Sequence, residues 1–283
     1  MRTKIKNSVL LIIFLFIILG CENFLQKDPQ GELTQEAFPV SESDALLATN
    51  AVYVTIRDWA YHSGGYPILD IMSDDSRKGS NPNDQLATVG PYDKFTHTAS
   101  QDGLDRWWSS LYEGIKRANV VITKVPSIEM DQELRDRCVG EASFLRGLYY
   151  FDLVRAFGGV PLVTTLSPPT KVPRATTEAV YELIVNDLLS AVQNLPENSA
   201  LGPDDIGRAT KGAAKSLLAK VYLFQGDFIN AEKYALEVIL SDEYDLEPVF
   251  DNANSKLGEH GIESIFEVGA MEVEGAGGNQ YAN

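Results

Sequence analysis

Apolar residues recur at intervals of three and four along the middle of the chain. The clearest run has successive spacings of 3, 4, 3, 4 and 3 and consists of Trp108, Leu111, Ile115, Ala118, Ile122 and Val125. This spacing is typical of a helix buried along one side, and Pro126 ends it. Two similar runs, at about 133–157 and 177–195, end at Gly158-Gly159 and before Pro196. The sequence therefore predicts a mainly α-helical fold.

Two further predicted helices, at about 209–225 and 228–240, are separated only by Gly226-Asp227. Their small and large residues have the spacing of a tetratricopeptide repeat: Leu218-Ala219, Tyr222, Gly226, Phe228, Ala231 and Ala235. Small residues would let the two helices approach closely, with Tyr222 and Phe228 filling the space between them. An unrelated helical hairpin is the alternative. We expect an α-α superhelix of tetratricopeptide-like pairs with long loops.

Three other segments complete the predicted fold. A capping-box start at Ser41 and Asp44 opens a helix with Leu47, Ala51 and Val54 on its buried face. Gly, Pro, Asn, Asp and Ser dominate residues 64–101, which predicts a long loop. Near the C-terminus, the alternating sequence GIESIFEV at 261–268 predicts a strand and a little β structure.

The N-terminus has the pattern of an export signal. Three basic residues precede the apolar run from Val9 to Leu19, whose 11 residues are too few to span a membrane. Gly20-Cys21 follows and resembles a bacterial lipobox, although Leu19 departs from the small residue usual there. We therefore expect a signal peptide at 1–20, a lipidated tether at 21–40 with lipid on Cys21, and a helical domain at 41–283. An ordinary signal peptide or a short anchor helix is the alternative.

Charge and cysteine content exclude several classes of protein. Lys and Arg total 24 against 40 Asp and Glu, for a formal charge of −16, whereas nucleic-acid binders need clustered basic residues. After signal removal, Cys138 is the one cysteine besides Cys21, so no intrachain disulfide is expected, and its helical pattern predicts a buried, inert thiol. We expect no nucleic-acid partner.

Catalytic motifs are missing from the sequence. His62, His97 and His260 are far apart along the chain, and no pair has metal-ligand spacing. The sequence contains neither a G-x-S-x-G elbow nor a phosphate-binding loop. We expect neither an enzyme nor a cofactor.

Several blocks, in this order and register, resemble the SusD/RagB family of outer-membrane lipoproteins from Bacteroidetes. The most specific are FLRGLYYFDLVRAFGGVPLV at 144–163 and the Gly207-Arg208-Ala209-Thr210 segment. The resemblance covers about 21–283, and family members normally continue further, so the chain is expected to be an N-terminal portion. It implies an outward-facing, lipid-anchored protein of the outer membrane that binds oligosaccharide and delivers it to a SusC-like TonB-dependent transporter. A tetratricopeptide adaptor that binds protein partners without sugar is the alternative function.

Sugar binding needs aromatic faces for the ring and polar side chains for the hydroxyl groups. The segment 70–92 supplies the polar half, and the predicted ligand-binding residues are Asp74, Asp75, Arg77, Asn81, Asn83 and Tyr92. A solvated turn and a weak calcium site are the alternatives, and no metal is assigned. Trp59 and Tyr61 could contribute from the preceding helix. Trp108 is expected to pack in the core, whereas Trp107 is a candidate for the surface.

Overall fold

The computed structural model describes residues 38–269, except Ser80, Pro82, Gln85 and Asn254. The chain divides into two units between Phe38 and Pro39, and all described residues but Phe38 belong to the second unit. The predicted signal peptide, Cys21 and most of the tether lie outside the described residues. The boundaries of the three predicted segments therefore stay predictions.

The described part of the chain is mostly α-helical, as the apolar spacing predicts. Its helices are α1 (Glu42–Arg57), α2 (Trp59–Tyr66), α3 (Gly90–Asp93), α4 (Leu104–Lys124), α5 (Gln132–Phe157), α6 (Thr177–Asn194), α7 (Lys211–Gln225), α8 (Phe228–Ile239) and α9 (Phe250–Ala253). A π-helical turn, Pro67–Ile71, follows α2, and 3-10 turns occupy Val125–Ser127, Asn198–Ala200 and Pro203–Asp205. An isolated antiparallel bridge joins Pro161 and Arg174.

The long helices pack against their neighbours in chain order, from α4 to α8, and α1 covers α4 and α5. Helix α5 lies at the centre, with nearly every side chain from Cys138 to Val154 buried. The predicted pair α7–α8 is confirmed, because Gly226 takes the left-handed conformation that ends α7 (φ 75°) and Asp227 caps α8. Tyr222 stacks on Tyr234 between these helices, with ring centroids 5.8 Å apart.

The prediction for Phe228 is wrong, because its side chain is exposed and Tyr234 takes the place between α7 and α8. Burial of Cys138 is confirmed, and this burial raises the pKa of its thiol.

The buried face of α1 also differs from the prediction. Leu47 and Val54 are exposed, and the buried face consists of Ala45, Ala48, Thr49, Val52, Thr55 and Ile56. A close approach of the helices is the reason. A Cβ added at Gly114 of α4 would lie 2.9 Å from Thr55 Cγ2 and 2.5 Å from Tyr149 Cε2, so α1 must present small side chains there.

The first turn of α4 corrects the assignment of the two tryptophans. Trp107 is 1% exposed and packs near Gly65 and Phe157, so it is a core residue and has no surface role. Trp108 is half-buried and contacts Tyr112 and Phe157. The buried stripe of α4 therefore starts one residue earlier than the sequence predicts, because α2 covers this side of the helix.

The predicted strand at 261–268 is not formed among the described residues. Gly261 N–H donates to Gly258 O and Ser264 N–H donates to Gly261 O, so tight turns replace an extended backbone. The Phe266 ring instead packs edge-on against Phe144 of α5, with centroids 4.9 Å apart. The alternating pattern therefore reflects contact of single apolar side chains with a helix.

Candidate functional site

The polar loop, defined here as residues 72–89, lies between two buried residues that hold its ends. Ile71 ends the π-helical turn on one side, and Tyr92 of α3 is buried on the other. The Tyr92 hydroxyl donates to Asp102 O at 2.9 Å, and its ring stacks on His97 with centroids 5.1 Å apart. Gln101 Nε2 donates to Ala87 O at 2.8 Å, which holds the end of the loop. These contacts fix both ends of a segment whose described residues form no helix.

Short polar side chains shape the loop from within. Ser73 Oγ donates to Asp70 O at 2.6 Å and accepts from the Asp75 N–H at 3.2 Å. Asn81 Oδ1 accepts from the Asn83 N–H at 3.0 Å, and Asn81 O accepts from Lys78 Nζ at 2.8 Å. Asn81 therefore forms a turn, as asparagine often does, and its side-chain oxygen is already occupied.

Other polar side chains of the loop project into solvent. Asp74, Asp75, Arg77 and Asn83 are exposed, and their side chains make no hydrogen bond or ion pair with another described residue. The loop thus presents two carboxylates, a guanidinium group and a carboxamide within ten residues of chain. These groups can accept and donate hydrogen bonds to a hydroxylated ligand.

Tyr92, in contrast, offers no ring face to a ligand. Its side chain is 0% exposed, and burial raises the pKa of its hydroxyl above the usual value. The residue holds the loop in place. Tyr61 is similar, because its hydroxyl donates to Asp152 at 2.8 Å. Trp59 is 56% exposed at the start of α2.

Phe95 is an aromatic residue that follows the polar loop in the chain and is not among the predicted ligand-binding residues. It is 66% exposed and has a positive φ of 53°, directly after α3. Its N–H donates to Tyr92 O and the next N–H, of Thr96, donates to Pro91 O, so the turn is closed by backbone bonds. Glycine is the usual residue in this conformation, and a bulky side chain there is strained. The only sequence signal is an aromatic residue within the polar stretch DKFTHT.

A separate cleft of about 350 Å³ lies where α1 and α2 meet α4. Arg106 and Arg117 line it and pair with Asp102 at 2.9 Å and Glu113 at 3.2 Å, respectively. Both of these cations are already paired within the protein, whereas Arg77 of the polar loop makes no ion pair with another described residue. The polar loop with Phe95 is therefore the better candidate for a ligand-binding surface.

Comparison with known proteins identifies the relatives of this chain. The sequence profile of a SusD-like family, described as "Starch-binding associating with outer membrane", matches residues 24–223. The chain belongs to the SusD-like family. Its helical fold and the buried α4–α5 core are therefore those of a family of carbohydrate-binding proteins associated with the outer membrane.

Individual relatives agree with the family assignment. A SusD-like protein of Formosa agariphila is 26% identical over 254 residues, which cover 86% of this chain and 47% of the relative. One from Bacteroides ovatus is 29% identical, with coverage of 87% and 46%. The solved structure of a laminarin-binding SusD-like protein is 34% identical, with a TM-score of 0.73, and the match covers 82% of this chain and 52% of that one. The chain thus spans about half the length of the curated relatives it matches.

Within residues 38–269, none of the helices combines the length and apolarity needed to cross a bilayer.

Proposed function

We propose that this SusD-like protein binds an oligosaccharide or polysaccharide at the cell surface and passes it to a SusC-like TonB-dependent transporter. One observation carries the proposal: in a chain of this family, a loop anchored at both ends exposes Asp74, Asp75, Arg77 and Asn83 without partners among the described residues. The loop binds and releases its ligand without chemical change. No cofactor takes part.

The chemistry of the loop suits a sugar. Carboxylates and guanidinium groups form the strongest hydrogen bonds with neutral hydroxyl groups, and here they do not need to break an internal ion pair first. An exposed aromatic ring can cover the apolar face of a pyranose, and Phe95 has that ring held by a strained turn. The laminarin-binding relative makes laminarin the first polysaccharide to test.

The lipid anchor belongs to the same proposal. Cys21 would carry the lipid after removal of residues 1–20, because the basic and apolar segments before it have signal-peptide character. The family description supports the outer membrane, and capture of extracellular glycan requires that the protein face the exterior. Metabolic labelling with a palmitate analogue should mark the parent and miss Cys21→Ala; equal labelling of both would contradict the anchor.

Affinity electrophoresis of the purified chain through gels that contain laminarin, starch or other plant, host and microbial polysaccharides tests the binding function. We expect retardation in at least one gel, and much less for the variant Asp74→Ala/Asp75→Ala/Arg77→Ala. Glu232→Gln/Lys233→Gln on α8 serves as a surface control. Unretarded migration in every gel would contradict the proposal.

The adaptor function is the second candidate, and the surface of α7 and α8 favours it. This surface exposes an unusual number of large apolar side chains: Leu223, Phe224, Phe228, Ile229, Ile239 and Leu240. A protein partner could cover them. Co-purification of a transporter without retardation by any polysaccharide would favour the adaptor over the glycan-binding protein.

A further inference from the structure

Three groups that commonly bind metal ions lie together after α9, in a segment that has no part in the proposed glycan surface. Glu259, His260 and Glu267 each offer a donor atom, and these atoms lie within 4.8 Å of one another. His260 Nδ1 is 3.9 Å from Glu267 Oε2. One imidazole nitrogen with two carboxylate oxygens is a donor set that suits zinc and its neighbours among the transition metals.

The carboxylate of Glu267 is oriented by two donors. Ser264 Oγ donates to Glu267 Oε2 at 2.9 Å, and the backbone N–H of His260 donates to the same atom at 2.9 Å. The other oxygen, Oε1, makes no hydrogen bond with a described residue. Hydrogen bonds of this kind position the carboxylate ligands of metal sites and commonly change affinity 10- to 100-fold.

The imidazole of His260 is also held in place. His260 has a φ of 52°, and its ring lies beside two glycines that leave room for it. A Cβ at Gly269 would lie 2.7 Å from Nε2, and a Cβ at Gly207 would lie 3.2 Å from Cε1. The Gly207 turn precedes α7, so the ring connects the segment 259–269 to the start of the helix pair.

Space and charge around the cluster also suit a cation. A cavity of about 770 Å³ lies beside the cluster and is lined by Glu259, Glu263 and Glu267, by Lys256, and by other residues that include Ser264 and Phe266. It leaves room for water molecules that would complete the coordination of an ion with three protein ligands. Three carboxylates line the cavity against the one ammonium group of Lys256, so the lining has a net negative charge.

We propose that Glu259, His260 and Glu267 form a binding site for a divalent transition-metal ion, with Zn²⁺ as the reference ion. The bound ion fixes the segment 259–267 against the Gly207 turn. The imidazole distinguishes the metal preference of this site from that of a purely acidic surface. Ca²⁺ and Mg²⁺ prefer oxygen ligands, whereas Zn²⁺ binds imidazole readily.

Titration of Zn²⁺ into the purified full chain in detergent, in competition with a chromophoric chelator, tests the site. We expect one saturable site whose affinity falls at least about tenfold in Glu267→Gln and His260→Asn, and about tenfold in Ser264→Ala. Asparagine is chosen at 260 because it tolerates positive φ. His62→Asn and Glu232→Gln make the same chemical changes elsewhere and should leave affinity unchanged.

Two further measurements separate coordination from general attraction to negative charge. Zn²⁺ should raise the melting temperature of the parent but not of His260→Asn, and it should bind the parent more tightly than Ca²⁺ or Mg²⁺ does. Equal affinity for Zn²⁺, Ca²⁺ and Mg²⁺, unchanged affinity in His260→Asn, or no saturable binding would each overturn the proposal. Glycan binding would be unaffected by any of these results, because the polar loop is a separate surface.

Discussion

A buried ion pair joins α5 to α6 in the middle of the helical core. Arg146 Nε and Nη2 donate to the two carboxylate oxygens of Asp187 at 2.8 and 2.6 Å, and both side chains are less than 10% exposed. Arg146 Nη1 also donates to Asn119 Oδ1 at 2.7 Å, and Asn119 Nδ2 donates to Val163 O at 2.8 Å. The arginine thus connects α4, α5, α6 and the segment after α5.

Removal of one partner should destabilise this core strongly. Arg146→Met leaves the Asp187 carboxylate buried without its partner, which we expect to cost about 3–5 kcal/mol in the free energy of unfolding by urea. The double variant Arg146→Met/Asp187→Leu should recover most of the loss. Arg57→Met at the exposed end of α1 is the control. A loss below about 1 kcal/mol in Arg146→Met would contradict this account.

A second ionic cluster explains the Gly207-Arg208 segment, one of the most specific blocks of the sequence. Arg208 Nη1 donates to Glu141 Oε2 at 2.8 Å, and Arg137 Nη1 donates to Asp205 Oδ2 at 2.7 Å. Burial raises the pKa of Glu141 despite the two arginines. Partial burial opposes ionisation of Asp205 as well, but Arg137 and then Arg208 outweigh it, so the pKa of Asp205 is lowered.

The lowered pKa of Asp205 predicts a contribution to stability that depends on pH. Because the folded pKa lies below the ordinary value of about 3.9, the contribution is present above that pH and is lost as the pH falls through the lowered pKa. At pH 6, Asp205→Asn should therefore be less stable than the parent by about 1.5–3 kcal/mol.

Urea unfolding of parent and variant between about pH 6 and pH 2.5 measures this difference, which should shrink at the acid end. Asp204→Asn, at the neighbouring exposed position, should follow the parent at every pH. A difference between parent and Asp205→Asn that stays constant with pH would show that the carboxylate charge is not responsible.

At the scale of helices, the sequence predicts the position of each long helix along the chain well. It predicts less well which face of the helix is buried. Helices α5 to α8 have large apolar residues at regular spacing, and their positions follow from it. The prediction for helix α1 is wrong because Leu47 and Val54 lie on its exposed side. Its buried face combines Val52 and Ile56 with small residues, and one of these, Thr55, lies at the close contact with Gly114 of α4. A single sequence does not show which helix a small residue contacts.

The close contact at Gly114 also predicts the effect of adding one methyl group there. Gly114→Ala should favour the isolated helix by about 1 kcal/mol, but its Cβ would lie 2.5 Å from Tyr149 Cε2. Movement of Tyr149 would weaken its 2.7 Å hydrogen bond to Val52 O. We therefore expect a net loss of about 1–3 kcal/mol in urea unfolding, since overpacking costs this amount.

Thr123→Ala, on the exposed side of α4, is the control, and it should change stability by less than about 0.5 kcal/mol. A more stable Gly114→Ala would mean that helix propensity outweighs the contact between α1 and α4.

The sequence predicts the exposed polar residues of the candidate site but not its aromatic residue. Asp74, Asp75, Arg77 and Asn83 lie on a loop because turn-forming residues surround them, and their exposure follows. Tyr92 has the same surroundings in sequence but is buried, because α3 turns its ring towards His97. Phe95 is exposed because the backbone turns at positive φ. The burial of Tyr92 and the exposure of Phe95 both depend on a turn in the folded chain, and the spacing of residues in the sequence does not predict that turn.

At the scale of the whole molecule, a helical scaffold supports a loop on which Asp74, Asp75, Arg77 and Asn83 have no structural partner among the described residues. Packing of α1 and α4 to α8 and the buried ion pairs supply stability without a disulfide, since Cys138 is the free thiol of the described part. We propose that this loop, with Phe95, binds a glycan.

Glycan binding by the polar loop is tested by calorimetric titration with oligosaccharides of whichever polysaccharide retards the chain, beginning with laminarin. The parent should bind, and Asp74→Ala/Asp75→Ala/Arg77→Ala should lose at least about tenfold in affinity. Phe95→Asn, which suits the positive φ, should lose affinity while its melting temperature stays equal or rises, whereas Phe228→Asn on α8 should bind as the parent does. Undiminished affinity in both the triple loop variant and Phe95→Asn would contradict the account.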